Sequence, residues 1–373
     1  MQPNIIHIGL DVDDTNYHGS ALDKHSGECL SFKCRPTLKG LLSQLNKLQK
    51  QFPGTVFHLC YEASYIGYTL QRDLSKQGFH CDVVAPTSIP SPRGKQIKTD
   101  RIDAVQLVQF YANGLLTLVE VPEAEQEQDR DLLRTRKRLV KHQAELRSHL
   151  QALLRRHGLH YREQTGYKSH WTKLHYSWLR RTVETATGSL KISLDVLLRQ
   201  LATTDRTIAE YDQHIEALAK SPRYEEAVKA LVCYKGIKNH YALTLITEIG
   251  DIKRFPHPRQ LVSWAGMDIR EYSSGGKHNR FGITKHGNKF LRTALIEANQ
   301  RGYRTTRITK DLSARRSHVD AELVSIADRC LRRLHKKGTR LLQAGKHPNK
   351  VKVACAREMA GFIWESLIKV AAC

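Results

Sequence analysis

Four acidic side chains in the first third of the chain carry the clearest chemistry. Asp11 closes the apolar strand-like run over residues 4–12, Glu62 follows the run over 55–61, and Asp100 and Asp103 open a helical pattern. Residues three apart share a helix face, so the last two stand together. Carboxylate oxygens suit a hard divalent cation such as Mg²⁺, and ions held this way can clamp the attacking and leaving oxygens of a phosphodiester. Each acid alone is an ordinary turn residue. Their order (strand end, strand end, helix face) makes them a candidate metal-binding and catalytic set. Asp13 and Asp14 lie past the apolar run and suit a turn, while alternation puts Asp82 in mid-strand, a weaker fifth member.

A second constellation is Glu271-Tyr272-Ser273-Ser274-Gly275-Gly276, followed by Lys285-His286-Gly287-Asn288-Lys289. Serines beside paired glycines most often make a flexible loop. No Asp–His pair stands nearby at hydrolase spacing, which argues against ordinary acyl transfer. A nucleophilic serine here would need a metal or basic neighbours to activate it. Lys277, Arg280, Lys285, Asn288 and Arg292 are candidates to hold phosphate, with a solvated basic loop as the plain alternative.

The elements that must position these residues follow from periodicity. Strands are expected at 4–12, 16–22, 28–33, 55–61 and 80–85, with helices at 37–52 and 65–77. That order, closed by the helix bearing Asp100 and Asp103, is the α/β order of an RNase H-like fold. Residues 86–97 are rich in Pro, Ser and Gly and should form a mobile loop, and Pro122 ends a first domain over 1–122. Long apolar stripes over 124–157 and 190–219 suggest coiled-coil elements in a helical arm over 123–222, either paired within the chain or serving as a dimerisation arm. They flank a segment containing Trp171, Tyr176 and Trp178. A mostly α-helical third domain, 223–373, opens with helix, tight turn at Lys235-Gly236-Ile237, and helix. Such a helix-hairpin-helix aims backbone N–H groups at a phosphate backbone. Residues 255–292 look glycine-rich, basic and loop-like.

Charge narrows the partners. The chain of 373 residues has a formal charge of +23, unevenly spread: residues 1–120 hold 12 basic against 11 acidic side chains, and the remainder 48 against 26. Residues 301–350 hold 14 against 4, including Arg332, Arg333, Lys336, Lys337 and Arg340. An excess this concentrated points to nucleic acid. No apolar run spans a bilayer, no secretory signal is visible, and eight scattered cysteines suit reduced thiols, so a cytoplasmic protein is expected. Cys29 and Cys34 are the closest pair, but no matching Cys or His pair supports a zinc site.

Several motifs together resemble the insertion-sequence one-ten family of DEDD transposases, the bridge-RNA-guided recombinases. They are GLDV at Asp11, YEAS at Glu62, KTDRIDA at Asp100 and Asp103, and Gly236-Ile237 through Thr247-x-Ile249-Gly250. Phe255 through Trp264-Ala-Gly-Met267 runs on into Arg270-Glu-Tyr-Ser-Ser-Gly-Gly276, and Lys285-x-Gly-Asn-Lys-Phe-Leu-Arg292 completes the set. The resemblance covers nearly the whole chain. It implies a RuvC-like N-terminal domain with Asp11, Glu62, Asp100 and Asp103 around Mg²⁺, a coiled coil, and a transposase domain with a catalytic serine matching Ser274, Ser273 being its neighbour. It further implies dimers that pair into tetramers on donor and target DNA, the carboxylates of one subunit meeting the serine of another. A non-coding guide RNA would choose the sites, and Ser274 would attack a DNA phosphate to give a phosphoserine intermediate.

The expectation is therefore a metal-dependent, RNA-guided DNA recombinase. A RuvC-like nuclease using metal-activated water, and a non-catalytic RNA- or DNA-binding relative, are the alternatives.

Overall fold

The computed structural model describes residues 4–90, 100–274, 277–300 and 302–372; for residues 100, 101, 274, 277 and 278 only the backbone is described. The chain divides into two compact units, residues 1–122 and 123–373.

The first unit is built on a mixed six-stranded sheet. β1 (Ile5–Val12), β2 (Tyr17–Asp23) and β3 (Cys29–Cys34) form an antiparallel meander. After α1 (Leu38–Gln51), β4 (Val56–Glu62) joins β1 in parallel, and after α2 (Thr69–Lys76), β5 (His80–Val84) joins β4 in parallel. Parallel neighbours need such crossovers, and both are helical here. Beyond α3 (Asp100–Ala112), the short β6 (Leu118–Val119) closes the order β3-β2-β1-β4-β5-β6. The second helix starts at Thr69 rather than 65, because Ser64–Gly67 makes a turn with Gly67 donating to Ser64.

Alternation splits the sheet into two faces. Ile6, Ile8, Leu10, Leu59 and Tyr61 pack with Leu41, Leu45 and Leu74 of α1 and α2 in one core. The opposite face takes α3, which lies directly on Gly9. A Cβ there would sit 2.7 Å from the Val108 amide nitrogen and 2.8 Å from the Ala104 carbonyl oxygen, both backbone atoms that cannot yield. Glycine is what lets helix and strand approach.

The second unit is mostly helical. α4 (Ala124–Arg156) and α7 (Gly188–Leu218) pair antiparallel, tied by Arg136–Asp212 and Gln143–Asp205. α5 (Tyr161–Thr165) and α6 (Lys173–Thr185) lie between them in sequence. The turn at Lys235-Gly236-Ile237 separates α8 (Glu225–Val232) from α9 (Asn239–Ile249). The stretch 255–292 is not the loop its composition suggests. It holds α10 (Pro258–Trp264) and the hairpin β7 (Ile269–Ser274) and β8 (Lys277–Ile283), and it leads into α11 (Lys289–Ala298). α12 (Lys310–Arg316), α13 (Ala321–Gln343) and α14 (Pro348–Val370) complete the unit. α14 closes its core: the Tyr234 hydroxyl lies 2.8 Å from the Phe362 carbonyl and 2.7 Å from Ser366 Oγ, and Trp364 donates to the Phe255 carbonyl at 2.7 Å.

Candidate functional site

Strand register brings two of the four acids side by side. Gly9 pairs with Cys60 and Leu10 with Tyr61, so Asp11 and Glu62 come next on neighbouring parallel strands, on the face that α3 covers. α3 runs antiparallel to β1. Its Tyr111 ring lies 5.7 Å from His7 near the strand's start, and Ala104 and Val108 sit at Gly9. The first turn of α3, with Asp100 and Asp103, therefore lies toward the Asp11 end. A helix N-terminus carries partial positive charge that favours nearby carboxylates. Glu62 is exposed, and Asp11 and Asp103 are half-buried. The donor set is all carboxylate, which fits Mg²⁺ rather than a softer metal. Among the described residues, no three acidic, histidine or cysteine side chains stand close enough to hold an ion. The side chain of Asp100 lies outside them, as do residues 91–99, where the sequence leads one to expect a Pro/Ser/Gly-rich loop.

Two other acids of this unit have local duties. Asp82, in mid-β5, accepts from the Tyr111 hydroxyl at 2.6 Å and lies 3.1 Å from His80 Nε2. Burial, then this bond to Asp82, pushes the Tyr111 phenol up. Asp13 accepts from the backbone and side chain of Thr15, as a turn residue does, and its carboxyl is lowered accordingly. A feature that sequence spacing hides is the row His7, His58 and His80, paired laterally on β1, β4 and β5. The His58 and His80 rings are 4.4 Å apart, and burial holds both His7 and His58 below the ordinary histidine pKa.

In the second unit the two serines end β7, at the tip of the hairpin. Ser273 pairs with His278 and Ser274 with Lys277. The Ser273 hydroxyl donates to Glu271 at 2.8 Å, and the same carboxylate accepts from Arg280 at 3.0 Å. Tyr272 is 76% exposed and Phe281 58%, so the hairpin stands in solvent with little core beneath it.

The other phosphate-holding candidates divide. Lys285 is exposed, its backbone bent to φ 60° with its N–H on the Gly266 carbonyl. Asn288 caps α11 through Oδ1, 2.9 Å from the Leu291 amide, and donates its amide to Glu248 at 2.8 Å. Arg292 donates to the Ala265 carbonyl at 2.7 Å, and burial lowers its pKa. Gly287, at φ 115°, keeps this turn closed, since a Cβ would meet the Trp264 carbonyl oxygen at 2.2 Å. The side chain of Lys277 lies outside the described residues. Glu248, which sequence reasoning passed over, is 2% exposed and sits between Asn288 and Arg134. Its only sequence signal was its place inside the Thr247-x-Ile249-Gly250 stretch.

Basic surface is plentiful elsewhere. Arg332, Lys336 and Arg340 are exposed and stand four apart, one stripe along α13, whereas Arg333 and Lys337 are tied to Glu358. An open cleft of about 830 Å³ beside α10, α13 and α14 is lined by His257, Arg259, Lys337 and Arg357, with Asp268, Glu358 and Glu365 among them. No helix of the described residues is long and apolar enough to cross a membrane.

Two family models match. One, described as "Transposase IS116/IS110/IS902 family", covers residues 228–314, and a DEDD transposase model of the IS110 group covers residues 8–158. The chain is 34% identical to y4qE of Sinorhizobium fredii over 325 residues, which span 87% of this chain and 78% of that relative. It is 28% identical to the transposase for insertion sequence element IS1533 of Leptospira borgpetersenii, over 89% and 95% of the two chains. To the transposase for element IS1111A of Coxiella burnetii it is 30% identical over 60% of each. The chain belongs to the IS110 family of DEDD transposases.

Proposed function

We propose that this transposase is a metal-dependent DNA recombinase, guided by a non-coding RNA, that cuts and rejoins strands through a phosphoserine at Ser274. The observation that carries the metal half is the register of Asp11 beside Glu62 under the N-terminal turn of α3. The antiparallel meander followed by two parallel strands supports an RNase H-like, RuvC-type reading of the first unit.

Asp11, Glu62, Asp100 and Asp103 would hold Mg²⁺. Bound there, it would neutralise charge that builds on a phosphodiester and help orient the attacking oxygen. Ser274 Oγ gives up its proton and forms a bond to phosphorus while the bond from phosphorus to a deoxyribose oxygen breaks. That oxygen leaves as a hydroxyl after taking a proton. Rejoining reverses the step with the hydroxyl of another strand. Lys277 and Lys285 would steady the phosphate electrostatically. Arg280 would share that duty with its partner Glu271, while the side-chain bonds of Asn288 and Arg292 support a role in shaping the loop. Donor and target DNA, a guide RNA, and a homodimer that pairs into a tetramer complete the reading, supported by the basic second unit and by the family.

The test is a recombination assay with copurified RNA, Mg²⁺ and end-labelled DNA, resolved on a denaturing gel. A covalent protein–DNA adduct is expected, absent in Ser274→Ala and in Asp11→Asn. Free cleaved ends without an adduct would favour hydrolysis by metal-activated water instead. Wild-type recombination by Asp11→Asn would remove the metal-site reading.

A further inference from the structure

The end of the helical arm gathers aromatic rings inside a basic shell. Residues 147–182 carry eight basic side chains and a single acidic one, Glu163, with five histidines besides. Packed among them is a cluster of aromatic rings. Tyr161 stands edge-on to His175 at 4.6 Å, lies 5.3 Å from Trp178 and 5.6 Å from His170. His175 and Trp178 stack nearly parallel, 20° apart. The Arg147 guanidinium lies over the Trp171 ring at 5.0 Å.

These rings do more than fill a core. Tyr161, His170, His175 and Trp178 wall a cavity of about 230 Å³ between the end of α4, α5 and α6, lined also by Arg155, Arg162 and Glu163. That is below the roughly 300–1,000 Å³ of drug-sized pockets and suits one small planar heterocycle. Tyr161 is 4% exposed, and its buried hydroxyl has no hydrogen-bonding partner among the described residues. Buried polar groups without partners are rare and need a reason. Trp171 is held at φ 63°, a conformation costly for a bulky residue, with its N–H given to His175 Nδ1 at 3.2 Å.

We propose that this pocket takes one unpaired nucleobase, splayed from a single-stranded segment of nucleic acid, with Arg155 and Arg162 on its flanking phosphates. His170, the exposed ring at the rim, offers a face on which any base can stack, and the buried Tyr161, His175 and Trp178 back it. The basic shell supplies the attraction to the backbone, against the one carboxylate of the pocket lining, Glu163.

The test uses the full-length protein and three single-stranded probes of about twelve nucleotides. They are oligoadenylate as RNA, oligoadenylate as DNA, and a backbone of the same length bearing abasic spacers. Wild type should prefer a base-bearing probe over the abasic one by about tenfold. His170→Ala and Arg155→Ala/Arg162→Ala change exposed side chains, so thermal melts should match wild type. His170→Ala should erase the base-dependent preference, and the double arginine variant should weaken all three probes. Stronger binding of the RNA probe assigns the base to RNA, of the DNA probe to an unpaired DNA strand. Equal binding of abasic and base-bearing probes by wild type, or an undiminished preference in His170→Ala, would overturn the proposal.

Discussion

Arg134 grips the buried carboxylate of Glu248 with both prongs of its guanidinium, Nε on Oε1 and Nη2 on Oε2, each at 2.8 Å. The pair fastens α4 to α9, and Asn288 adds a third bond from the head of α11. Removing one partner of a buried pair strands the other charge, which typically costs about 3–5 kcal/mol. Arg134→Ala should lower the unfolding free energy by an amount of that order in urea titrations. An unfolding midpoint equal to wild type would show that the pair is not what holds these helices together.

The two adjacent serines should separate cleanly. Ser273 spends its hydroxyl on Glu271, which Arg280 also engages, so Ser273→Ala should leave strand exchange within about fivefold of wild type. Loss of a nucleophile costs several orders of magnitude, the outcome expected for Ser274→Ala. Single-turnover rates measure both, and a larger defect in Ser273→Ala would reverse the assignment.

Gly9 offers a test of how the acids are positioned. A methyl group there meets backbone of α3 on two sides, so Gly9→Ala must push the helix off the sheet. The cost should be about 1–3 kcal/mol of stability. Because the displacement moves Asp100 and Asp103 away from Asp11 and Glu62, recombination should fall further than unfolding explains. A soluble Gly9→Ala protein with full activity would contradict this geometry.

Stability should also depend on pH in a particular window. Burial lowers both His175 and His240 from an ordinary 6.5 to about 4. Each is neutral when folded, so the unfolded chain binds more protons between those values. Their contribution is therefore whole above pH 6.5, declines as pH falls toward 4, and levels off below. Denaturation midpoints at several pH values, compared between wild type and His240→Gln, should show a shallower decline in the variant. Parallel curves would show that His240 binds its proton equally in the folded and unfolded chain, against the lowering by burial.

Much of the first unit was legible because strands announce themselves by alternation and the acids fall at their ends. Asp11 and Glu62 needed only that. The contact of Gly9 with α3 was not legible, since it joins residues about a hundred positions apart and leaves no periodic trace. The row of His7, His58 and His80 was hidden for the same reason. In the second unit, composition misled. Serines, glycines and lysines between 255 and 292 looked like loop, yet a two-stranded hairpin needs only its own backbone pairing and a turn, and it tolerates exposed Tyr272 and Phe281. Asn288 and Arg292 have the chemistry of phosphate ligands. Their side chains are turned to a helix cap and a carbonyl, a distinction that only geometry makes.

The placement of α14 sets an order of events during synthesis. Every contact that defines the first unit lies within residues 1–122, so it can fold while the rest is still being made. Tyr234 and Phe255 wait for partners on residues 362–366, translated more than a hundred codons later. A nascent chain thus carries a near-neutral first unit, its contacts complete, ahead of an unfinished basic second unit for much of its translation. A ribosome that stops early would release the first unit, with Asp11 and Glu62, without the serine hairpin's completed support.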